Sequence, residues 1–233
     1  MVVVPAYEEE ATVASVVASV PPAVAGLATT CLVVDDGSAD ATSTRASEAG
    51  ALVCRLPVNR GQGAALRVGY RLAADLGGRY VVTLDADGQW DAGDLEALVD
   101  VVASGRAELV SGTRRGGEDS DAIAVRRAGV VVFAAVIRLL TGAPVTDPAN
   151  GLRAMAVEVP AAIGLEQDQF QSAELIIGAL AEGFRYAEVP VRHHPRAAGR
   201  SKKGSSLAYG LRFARVIGVT YVRKRGWRHR RAA

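Results

Sequence analysis

Short runs of apolar, β-branched residues alternate with longer segments of helical periodicity along the first half of the chain. The runs VVV, CLVV and VVTL are apolar almost throughout, which is typical of strands buried on both faces of a parallel sheet. Strands that alternate with helices indicate βαβ units, and therefore an α/β fold with a mostly parallel sheet flanked by helices. Predicted strands span Val2–Val4, Cys31–Val34, Ala51–Leu56, Tyr80–Leu84 and Glu108–Ser111, and predicted helices span Glu9–Val20, Ala41–Ala49, Gly63–Leu76 and Asp94–Ala103.

The regular alternation ends after Gly112. The segment Thr146–Ala156 has no clear period and is expected to be irregular, and the basic, glycine-containing segment His194–Ser206 is expected to be a loop. We therefore expect one α/β domain over residues 1–205, followed by a C-terminal helical extension with a basic tail over residues 206–233. The later predicted elements are helices at Gly129–Leu140, Ser172–Glu182 and Leu207–Val222 and a short strand at Arg185–Val191.

Acidic residues occur in the segments that follow three of the predicted strands. The strands VVV, CLVV and VVTL run into PAYEE, DDGS and DADGQ. Ligands of open parallel sheets bind beyond the carboxyl ends of the strands, so these acids are expected to meet at one edge. Close carboxylates repel one another and favour a cation between them. Hard oxygen ligands suit Mg²⁺ or Mn²⁺, which would share its coordination shell with phosphate.

Two further site types place acids as the segment after VVTL does, and the sequence disfavours both. Asp85, Asp87, Gln89 and Glu96 match positions 1, 3, 5 and 12 of an EF-hand calcium loop. Trp90, however, stands at the sixth position, where the sharp turn needs glycine, and a β-branched run precedes the segment in place of a helix. Strand-end acids also occur in receiver-type phosphoacceptor domains, but the chain length of 233 residues and the long basic second half disfavour that class.

Composition and charge exclude several broad classes. Hydrophobic residues make up 49% and charged residues 22% of the chain, as in an ordinary globular protein, and the net charge of +2 does not indicate nucleic-acid binding. Cys31 and Cys54 lie in apolar runs and are expected to be reduced core residues of a cytoplasmic protein. No signal peptide is apparent after Met1, and the apolar run Gly129–Ile137 is too short to span a bilayer. We therefore expect a soluble protein.

Eight short segments, taken in order, carry a resemblance to a known family. They are PAYEE, VVDDGSAD, NRGQGAA, LDADGQ, SGTR, DPANGLRA, AEVPV and RAAGRSK. The chain resembles the family 2 glycosyltransferases of GT-A fold, and within them the dolichyl-phosphate mannose synthase-like, polyprenyl-phosphate glycosyltransferase branch. The resemblance covers roughly residues 1–205, and although a lone DxD motif is weak, the ordered set is specific. It implies a Rossmann-like GT-A sheet and transfer of a hexose from a nucleoside-diphosphate sugar.

The resemblance also implies roles for individual residues. Asp85 and Asp87 are implied to form the DxD pair that holds Mg²⁺ or Mn²⁺ against the donor diphosphate, with Asp87 counted among the catalytic residues as well. The other implied catalytic residues, which face phosphate or the acceptor, are Arg114, Asp147, Arg196 and Lys202, and Arg153 shares the segment of Asp147. The implied nucleotide-sugar contacts are Pro5, Tyr7, Glu9, Val34, Asp36, Ala86 and Gln89, with Asp36 near the base.

The favoured acceptor is a polyprenyl phosphate. Its oxygen is already anionic and needs no strong general base, whereas a hydroxyl of a soluble or cell-envelope acceptor would need one, and Asp147 and Glu174 are both candidates. On the donor side, the charge that builds on the leaving diphosphate would be neutralised by the metal and by Arg or Lys side chains. The donor base, uridine or guanosine, stays open, as does the identity of the hexose.

Two departures from the family pattern concern these same regions. Glu8 stands where the family often has asparagine, and FQSAEL has one residue more than the mannose-synthase pattern between Gln171 and Glu174. A degenerate member that binds nucleotide without turnover is the non-enzyme alternative. The intact pair Asp85 and Asp87 argues against that alternative.

The C-terminal segment combines an apolar stripe with a basic cluster. Tyr209, Phe213, Ile217 and Tyr221 repeat with helical spacing, and VRKRGWRHRR follows. Such a stripe ordinarily packs on the body of the protein or on the second subunit of a homodimer. Clustered cations beside Trp227 also suit peripheral contact with the inner face of a membrane. The sequence is compatible with packing and with membrane contact alike.

Overall fold

A computed structural model describes residues 1–114, 124–195 and 207–231, with the backbone alone for residues 124–128, 207–209 and 225–231. Within these ranges the strands are β1 (Val2–Ala6), β2 (Ala23–Val24), β3 (Leu27–Ala28), β4 (Cys31–Asp35), β5 (Leu52–Arg55), β6 (Tyr80–Thr83), β7 (Leu109–Thr113), β8 (Arg153–Ala156) and β9 (Tyr186–Pro190). The α-helices are α1 (Val13–Ser19), α2 (Thr42–Glu48), α3 (Gln62–Asp75), α4 (Leu95–Ala103), α5 (Ala124–Thr141), α6 (Glu158–Ile163), α7 (Gln171–Glu182) and α8 (Leu207–Arg231).

Seven of the described strands form one sheet in the order β5-β4-β1-β6-β8-β7-β9. All neighbouring pairs are parallel except those of β8, which runs antiparallel to both β6 and β7. The helices flank this sheet, which confirms the predicted α/β class. The three strands that run into acidic segments, β4, β1 and β6, are direct neighbours, so their carboxyl ends meet as expected.

The core lies between the central strands and the helices that cover them. Val3, Val4 and Val34 are fully buried, as the uninterrupted apolar runs predict. Helix α3 packs on β1 and β4, and it does so through Gly69, where an added β-carbon would come within 2.3 Å of Val3 Cγ1. This close approach places the first turn of α3 beside the ends of β1 and β4.

The first helix begins later than predicted. Its periodicity starts at Glu9, but α1 begins only at Val13. The backbone N–H groups of Glu8 and Glu9 donate to the side chains of Ser38 and Thr42 at 2.8 and 2.9 Å. These two residues are thus held in a loop by hydrogen bonds to the segment that leads into α2 and to its first residue, and they are not the start of a helix.

The segment expected to be irregular contains a strand that the sequence did not reveal. Its last four residues, Arg153–Ala156, form β8 between β6 and β7. Arg153 pairs in register with Thr83 on one side and with Ser111 on the other. A run of four residues that includes an arginine has no readable period, and its partners lie 42 and more residues away in sequence.

The C-terminal helix packs on the body of the protein. Phe213 and Ile217, two members of the predicted apolar stripe, are buried, and α8 contacts both α5 and α7. The helix continues to Arg231, beyond the end of the apolar period at Val222. None of the helices in the described ranges has the length and hydrophobicity needed to cross a bilayer.

Candidate active site

A cavity of about 660 Å³ lies beyond the carboxyl ends of β1, β4 and β6. One side is formed by residues that follow these strands, among them Pro5–Glu9, Asp36 and Asp85–Asp87. The rest of the lining comes from the second half of the chain and includes Asn150, Gly151, Arg153, Gln169–Ser172, Arg212 and Phe213. The described lining residues that carry carboxylates all belong to the first half of the chain, whereas the second half contributes amides, arginines and aromatic rings.

Asp85 is held by side-chain donors at both of its oxygens. Gln62 Nε2 donates to Oδ1 at 2.8 Å, and Trp90 Nε1 donates to Oδ2 at 3.1 Å. The carboxylate is also pressed against Gly151, where a β-carbon would lie 2.2 Å from Oδ2. Its orientation is therefore determined by its surroundings, as a ligand-binding carboxylate requires.

Asp87 lies two residues further on, in the loop that follows β6. Its Oδ1 accepts the backbone N–H of Gln89 at 3.1 Å, which makes a local turn. Asp85, Ala86 and Asp87 all line the cavity. The expectation that the two acids lie where the strand stops is thus confirmed, since β6 ends at Thr83.

The carboxylates of Asp85 and Asp87 suit a cation that takes most of its other ligands from substrate and water. Among the residues that the structure describes, no group of three or more His, Cys, Asp or Glu side chains is arranged to hold a metal ion. Two carboxylates alone make an incomplete site. Mg²⁺ is commonly bound by one or two carboxylates together with substrate phosphates and water, so the residues present fit such an ion with a diphosphate beside it.

Asp36 lies at the end of β4 and lines the same cavity. Its two oxygens accept the backbone N–H groups of Arg60 at 3.0 Å and Gly61 at 2.6 Å. Burial raises the pKa of this carboxyl above its ordinary value of 3.8, although the two N–H donors oppose the shift. Asp36 therefore connects the strand end to the loop before α3, and its predicted contact with a base would be made by a carboxylate that is already anchored.

Glycines in the NRGQG segment allow two loops to meet. Gly61 adopts φ +105°, and a β-carbon there would lie 2.6 Å from the carbonyl oxygen of Asp168. A β-carbon at Gly63 would lie 2.2 Å from the carbonyl oxygen of Gln167. The N–H of Gly63 donates to the carbonyl oxygen of Asp168 at 2.8 Å. The segment thus supports the loop that leads into α7, and this close approach accounts for its glycines.

Arg114 and Asp147 form a two-pronged ion pair. Arg114 Nε and Nη2 donate to the two oxygens of Asp147 at 2.7 and 2.9 Å. The Asp147 side chain is only 5% exposed, and the backbone N–H of Thr146 donates to Glu188 next to it. Neither member of the pair is among the described residues that line the cavity, so their catalytic roles stay predictions.

Glu174 is fully buried and serves as an anchor. It accepts the backbone N–H groups of Glu166 and Gln167, each at 2.9 Å, and pairs with Arg223 of α8. With no exposed surface, this carboxylate has no access to a proton in the cavity. Glu174 is therefore no longer a candidate for the general base.

The other predicted site residues are divided between the cavity and its surroundings. Pro5, Tyr7, Glu9 and Ala86 line the cavity. Val34 is fully buried in the core beside Gly69, and Gln89 lies outside the cavity lining, where its carbonyl oxygen accepts the N–H of His194 at 2.8 Å. Arg196 and Lys202 lie outside the described residues.

Several lining or supporting residues were not anticipated as functional. Gln62 and Trp90 hold Asp85, and Gln171 and Arg212 line the cavity. Each is an ordinary surface or core residue type in the sequence. Only the glycines on either side of Gln62 hinted that this position meets another part of the chain.

Known proteins share both the sequence and the fold of this chain. Residues 1–157 match the family described as glycosyl transferase family 2. An uncharacterized glycosyltransferase of Mycobacterium tuberculosis is 36% identical over 207 residues, which cover 88% of this chain and 90% of that protein. A dolichyl-phosphate hexose transferase of Haloferax volcanii is 34% identical over 198 residues, covering 84% of this chain and 83% of that protein.

A solved structure shares the architecture. Glucosyl-3-phosphoglycerate synthase of Mycobacterium tuberculosis, crystallised with Mn²⁺, uridine diphosphate and phosphoglyceric acid, superimposes with a TM-score of 0.70 at 27% identity. The match covers 96% of this chain and 77% of that structure. Together with the cavity at the strand ends and its DxD pair, these similarities show that the chain is a GT-A enzyme that belongs to glycosyltransferase family 2.

Proposed function

We propose that this enzyme transfers a hexose from a UDP or GDP sugar to the phosphate oxygen of a polyprenyl phosphate, with Mg²⁺ or Mn²⁺ as cofactor. Asp85 and Asp87 would hold the ion against the donor diphosphate. The metal, when bound, neutralises the negative charge that develops on the departing diphosphate. The carboxylates, with Asp85 oriented by Gln62 and Trp90, provide the fixed position that this requires.

The observation that carries the choice of acceptor is the distribution of charge in the cavity. The described lining residues contributed by the second half of the chain include Arg212, Asn150 and Gln169, and no carboxylate. A hydroxyl acceptor needs a general base, whereas a phosphate oxygen is already a nucleophile. A part of the lining that carries a cation and amides but no carboxylate favours the anionic acceptor.

Both candidate general bases are engaged elsewhere. Asp147 is paired with Arg114 through both of its oxygens, and Glu174 is buried against two N–H groups and Arg223. Removing either from its partners would leave a buried charge without compensation. This supports an acceptor that arrives already ionised.

Helices α5 and α8 supply features that suit a lipid. They meet through Phe133 and Phe213, whose ring centroids are 4.5 Å apart, and Phe213 lines the cavity. Both helices expose large apolar side chains to solvent, which we refer to as the α5–α8 apolar residues: Val131, Val132, Val136, Leu139, Leu211, Val219 and Val222. Exposed apolar side chains that cluster on neighbouring elements mark a contact surface, and α5 and α8 contact one another.

The charge of the same two helices favours a membrane as the partner of this surface. Their sequences contain arginines and lysines but neither aspartate nor glutamate. Arg138, Arg212 and Arg215 are exposed among the apolar residues. A cationic, apolar helix surface beside the cavity complements an anionic bilayer, so we place the enzyme peripherally on the inner face of the membrane, where the lipid acceptor resides. The Haloferax relative named for a dolichyl phosphate acceptor supports the same choice.

Transfer of labelled sugar to lipid tests the proposal directly. The purified enzyme is incubated with Mn²⁺, a short-chain polyprenyl phosphate in detergent, and UDP-glucose or GDP-mannose labelled in the sugar. Label that enters the organic phase, and that mild acid releases as expected of a sugar phosphate, supports the proposal. Asp87→Ala serves as the inactive control. Retention of all label in the aqueous phase, with donor turnover intact, would contradict the lipid acceptor.

A small phosphorylated acceptor is the second candidate. It is favoured by the likeness to a structure that contains phosphoglyceric acid, and a phosphate-bearing molecule would also suit Arg212 at the cavity. The same assay with 3-phosphoglycerate in place of the lipid separates the two. Turnover with the water-soluble acceptor alone, unaffected by vesicles, would favour this candidate over the polyprenyl phosphate.

A further inference from the structure

Four polar side-chain atoms are buried in one region of the protein and make no hydrogen bond within the part of the chain that the structure describes. They are Nε of Arg153, Nε2 and Oε1 of Gln171, and the hydroxyl of Tyr70. Arg153 is 2% and Gln171 3% exposed, and both line the cavity. Buried polar atoms in native proteins are nearly always hydrogen-bonded, so this concentration of atoms without partners indicates that something else meets them.

The hydroxyl of Tyr70 is a neighbour of the Gln171 amide. The pKa of Tyr70 is raised to about 12, chiefly by burial, and both Arg153 and the Gln171 amide act in the opposite direction. The hydroxyl and the amide are nevertheless not aligned for a hydrogen bond. A small rotation that joined them would satisfy only one of the two amide atoms, so at least one would still need a partner.

The backbone fixes both lining residues in place. Arg153 lies in β8 between Thr83 and Ser111, and its Nη2 donates to the carbonyl oxygen of Asn150. Gln171 is the first residue of α7 and follows Phe170, whose φ of +56° is rare for a bulky residue. Backbone strain of this kind persists where the surrounding structure demands it. Here it directs the start of α7 toward the cavity.

The region adjoins the DxD pair. Gly151, two residues before Arg153, touches the carboxylate of Asp85, and the charges of Arg153 and Asp85 influence one another. In a nucleotide sugar the hexose is attached directly to the diphosphate. In the sheet order, β8 lies on the side of β6 away from β4, where Asp36 is proposed to meet the base. If Asp85 and Asp87 hold the diphosphate, as the proposed function requires, the nucleoside extends toward β4 and the hexose, at the other end of the diphosphate, extends toward this region.

We propose that Arg153 and Gln171 form a subsite that binds hydroxyl groups of the transferred hexose. The amide of Gln171 offers donors on Nε2 and an acceptor on Oε1, and neither atom has a partner among the described residues. A carboxylate or phosphate has no hydrogen to give to the amide oxygen, whereas a hydroxyl can donate to it and accept from Nε2 or from Arg153. The hydrogen-bonding pattern therefore selects a neutral, hydroxylated ring.

Binding of nucleotide with and without the sugar tests this inference. It rests on the proposed donor, and donor binding can be measured with no acceptor present, so that the result does not depend on the proposed acceptor. Calorimetry in Mn²⁺ compares UDP with UDP-glucose and GDP with GDP-mannose, for the parent and for Gln171→Met. We expect the variant to keep its affinity for UDP or GDP and to lose about 3- to 10-fold for the corresponding nucleotide sugar.

Two further variants sharpen the result. Arg153→Met keeps much of the length of the side chain without its N–H groups and should show the same selective loss. Gln167→Leu changes a glutamine of the same loop that lies outside the described cavity lining, and both affinities should stay at the parental values. Melting temperatures verify that each protein is folded.

Deoxy sugars locate the hydroxyl concerned. A nucleotide sugar that lacks the hydroxyl bound by Gln171 should bind the parent more weakly, and Gln171→Met should bind it and the complete sugar equally well. An equal loss of affinity for UDP and UDP-glucose would assign Gln171 a purely structural role. Unchanged affinity for both ligands in Gln171→Met and Arg153→Met would overturn the subsite, because the orphaned atoms would then be satisfied by Tyr70 or by internal water.

Discussion

The indole N–H of Trp90 donates at 3.1 Å to Oδ2 of Asp85, which lies five residues earlier in the chain. Trp90 in turn packs edge-on against His193, with ring centroids 4.6 Å apart, and the two residues form an isolated β-bridge. His194 N–H donates to Gln89 in the same place. The loop that carries the acidic pair is thus joined to the segment that leads toward the basic residues 196–203. A substitution in one of these segments should therefore alter the position of the other.

Replacing Trp90 by phenylalanine isolates the hydrogen bond from the packing. Trp90→Phe retains an aromatic ring against His193 but leaves Asp85 Oδ2 without its indole donor. A hydrogen bond to a charged group contributes about 1.5–3 kcal/mol, so Mn²⁺-dependent affinity for UDP or GDP should fall by about 10-fold or more. Calorimetry with and without Mn²⁺ checks this. Equal losses in both conditions would mean that Trp90 only shapes the cavity.

The metal role of the acidic pair predicts a sharper effect for Asp87. Asp87→Ala removes a proposed metal ligand from a loop at the cavity wall and shortens no strand or helix, so the variant should fold with a melting temperature near that of the parent. Its binding of nucleotide should become independent of Mn²⁺, because the ion loses half of its protein ligands. Mn²⁺-dependent binding that persists at the parental affinity would remove Asp87 from the metal site.

The predicted contact between Asp36 and the base makes nucleotide binding dependent on pH. If its ionised form accepts a hydrogen from uracil N3 or guanine N1, binding should weaken as the pH falls through its pKa, which burial raises above 3.8. The raised folded-state pKa also means that the ionised carboxylate opposes folding at neutral pH, and that this cost disappears as the pH falls toward the unfolded value.

The ratio of parental to Asp36→Asn affinity for UMP and GMP, measured from neutral to acidic pH, is the informative quantity, because ionisation of the ligand cancels in it. At neutral pH the ratio should correspond to about 1–3 kcal/mol, and it should approach one in acid. A ratio of one at every pH would show that Asp36 does no more than hold the backbone of Arg60 and Gly61.

The acidic edge of the sheet was predictable, and its supports were not. Runs such as VVTL followed by DADG locate strand ends from sequence alone, because hydrophobicity and turn chemistry are local. Contacts such as the one between Gln62 and Asp85, which are 23 positions apart in sequence, depend on how α3 packs against β1. Strand β8 was not predicted for a related reason, because its two partner strands, β6 and β7, are distant in sequence and meet it only in the folded protein.

Glu174 illustrates the same limit. An acid near the start of a predicted helix looked like a candidate base, but burial and partners cannot be read from one sequence. Glu174→Ala would leave two backbone N–H groups and Arg223 without their acceptor, which should lower the free energy of unfolding by about 3 kcal/mol. Urea denaturation measures this, with Glu158→Ala, an exposed acid at the start of α6, as a control expected within about 1 kcal/mol of the parent.

Turnover separates an anchor from a base at this position. Glu174→Gln keeps an amide oxygen for one of the N–H groups, and per folded molecule it should transfer sugar at nearly the parental rate. A folded but inactive Glu174→Gln enzyme would restore the catalytic interpretation.

The α5–α8 apolar residues predict attachment to anionic vesicles. Leu139 and Leu211 are 86% and 64% exposed, and Leu139→Ser combined with Leu211→Ser should sharply reduce co-sedimentation with vesicles that contain phosphatidylglycerol. Leu76→Ser is the matched control, because Leu76 is 56% exposed but lies at the end of α3 away from the cavity. Binding should also weaken with salt, since each cation near the surface contributes about 1 kcal/mol.

To measure the contribution of the basic tail to vesicle binding, the truncation must leave the contacts that anchor α8 intact. Lys224 Nζ donates to the carbonyl oxygen of Ile163 at 2.6 Å and to Glu182 at 3.1 Å, and Arg223 pairs with Glu174. Deletion of residues 225–233 keeps these anchors, so a loss of vesicle binding would belong to the removed cations and not to a loosened helix. If the full chain fails to sediment at low salt and instead forms a dimer that Leu139→Ser with Leu211→Ser dissociates, the apolar residues cover a second copy of the enzyme and the membrane proposal fails.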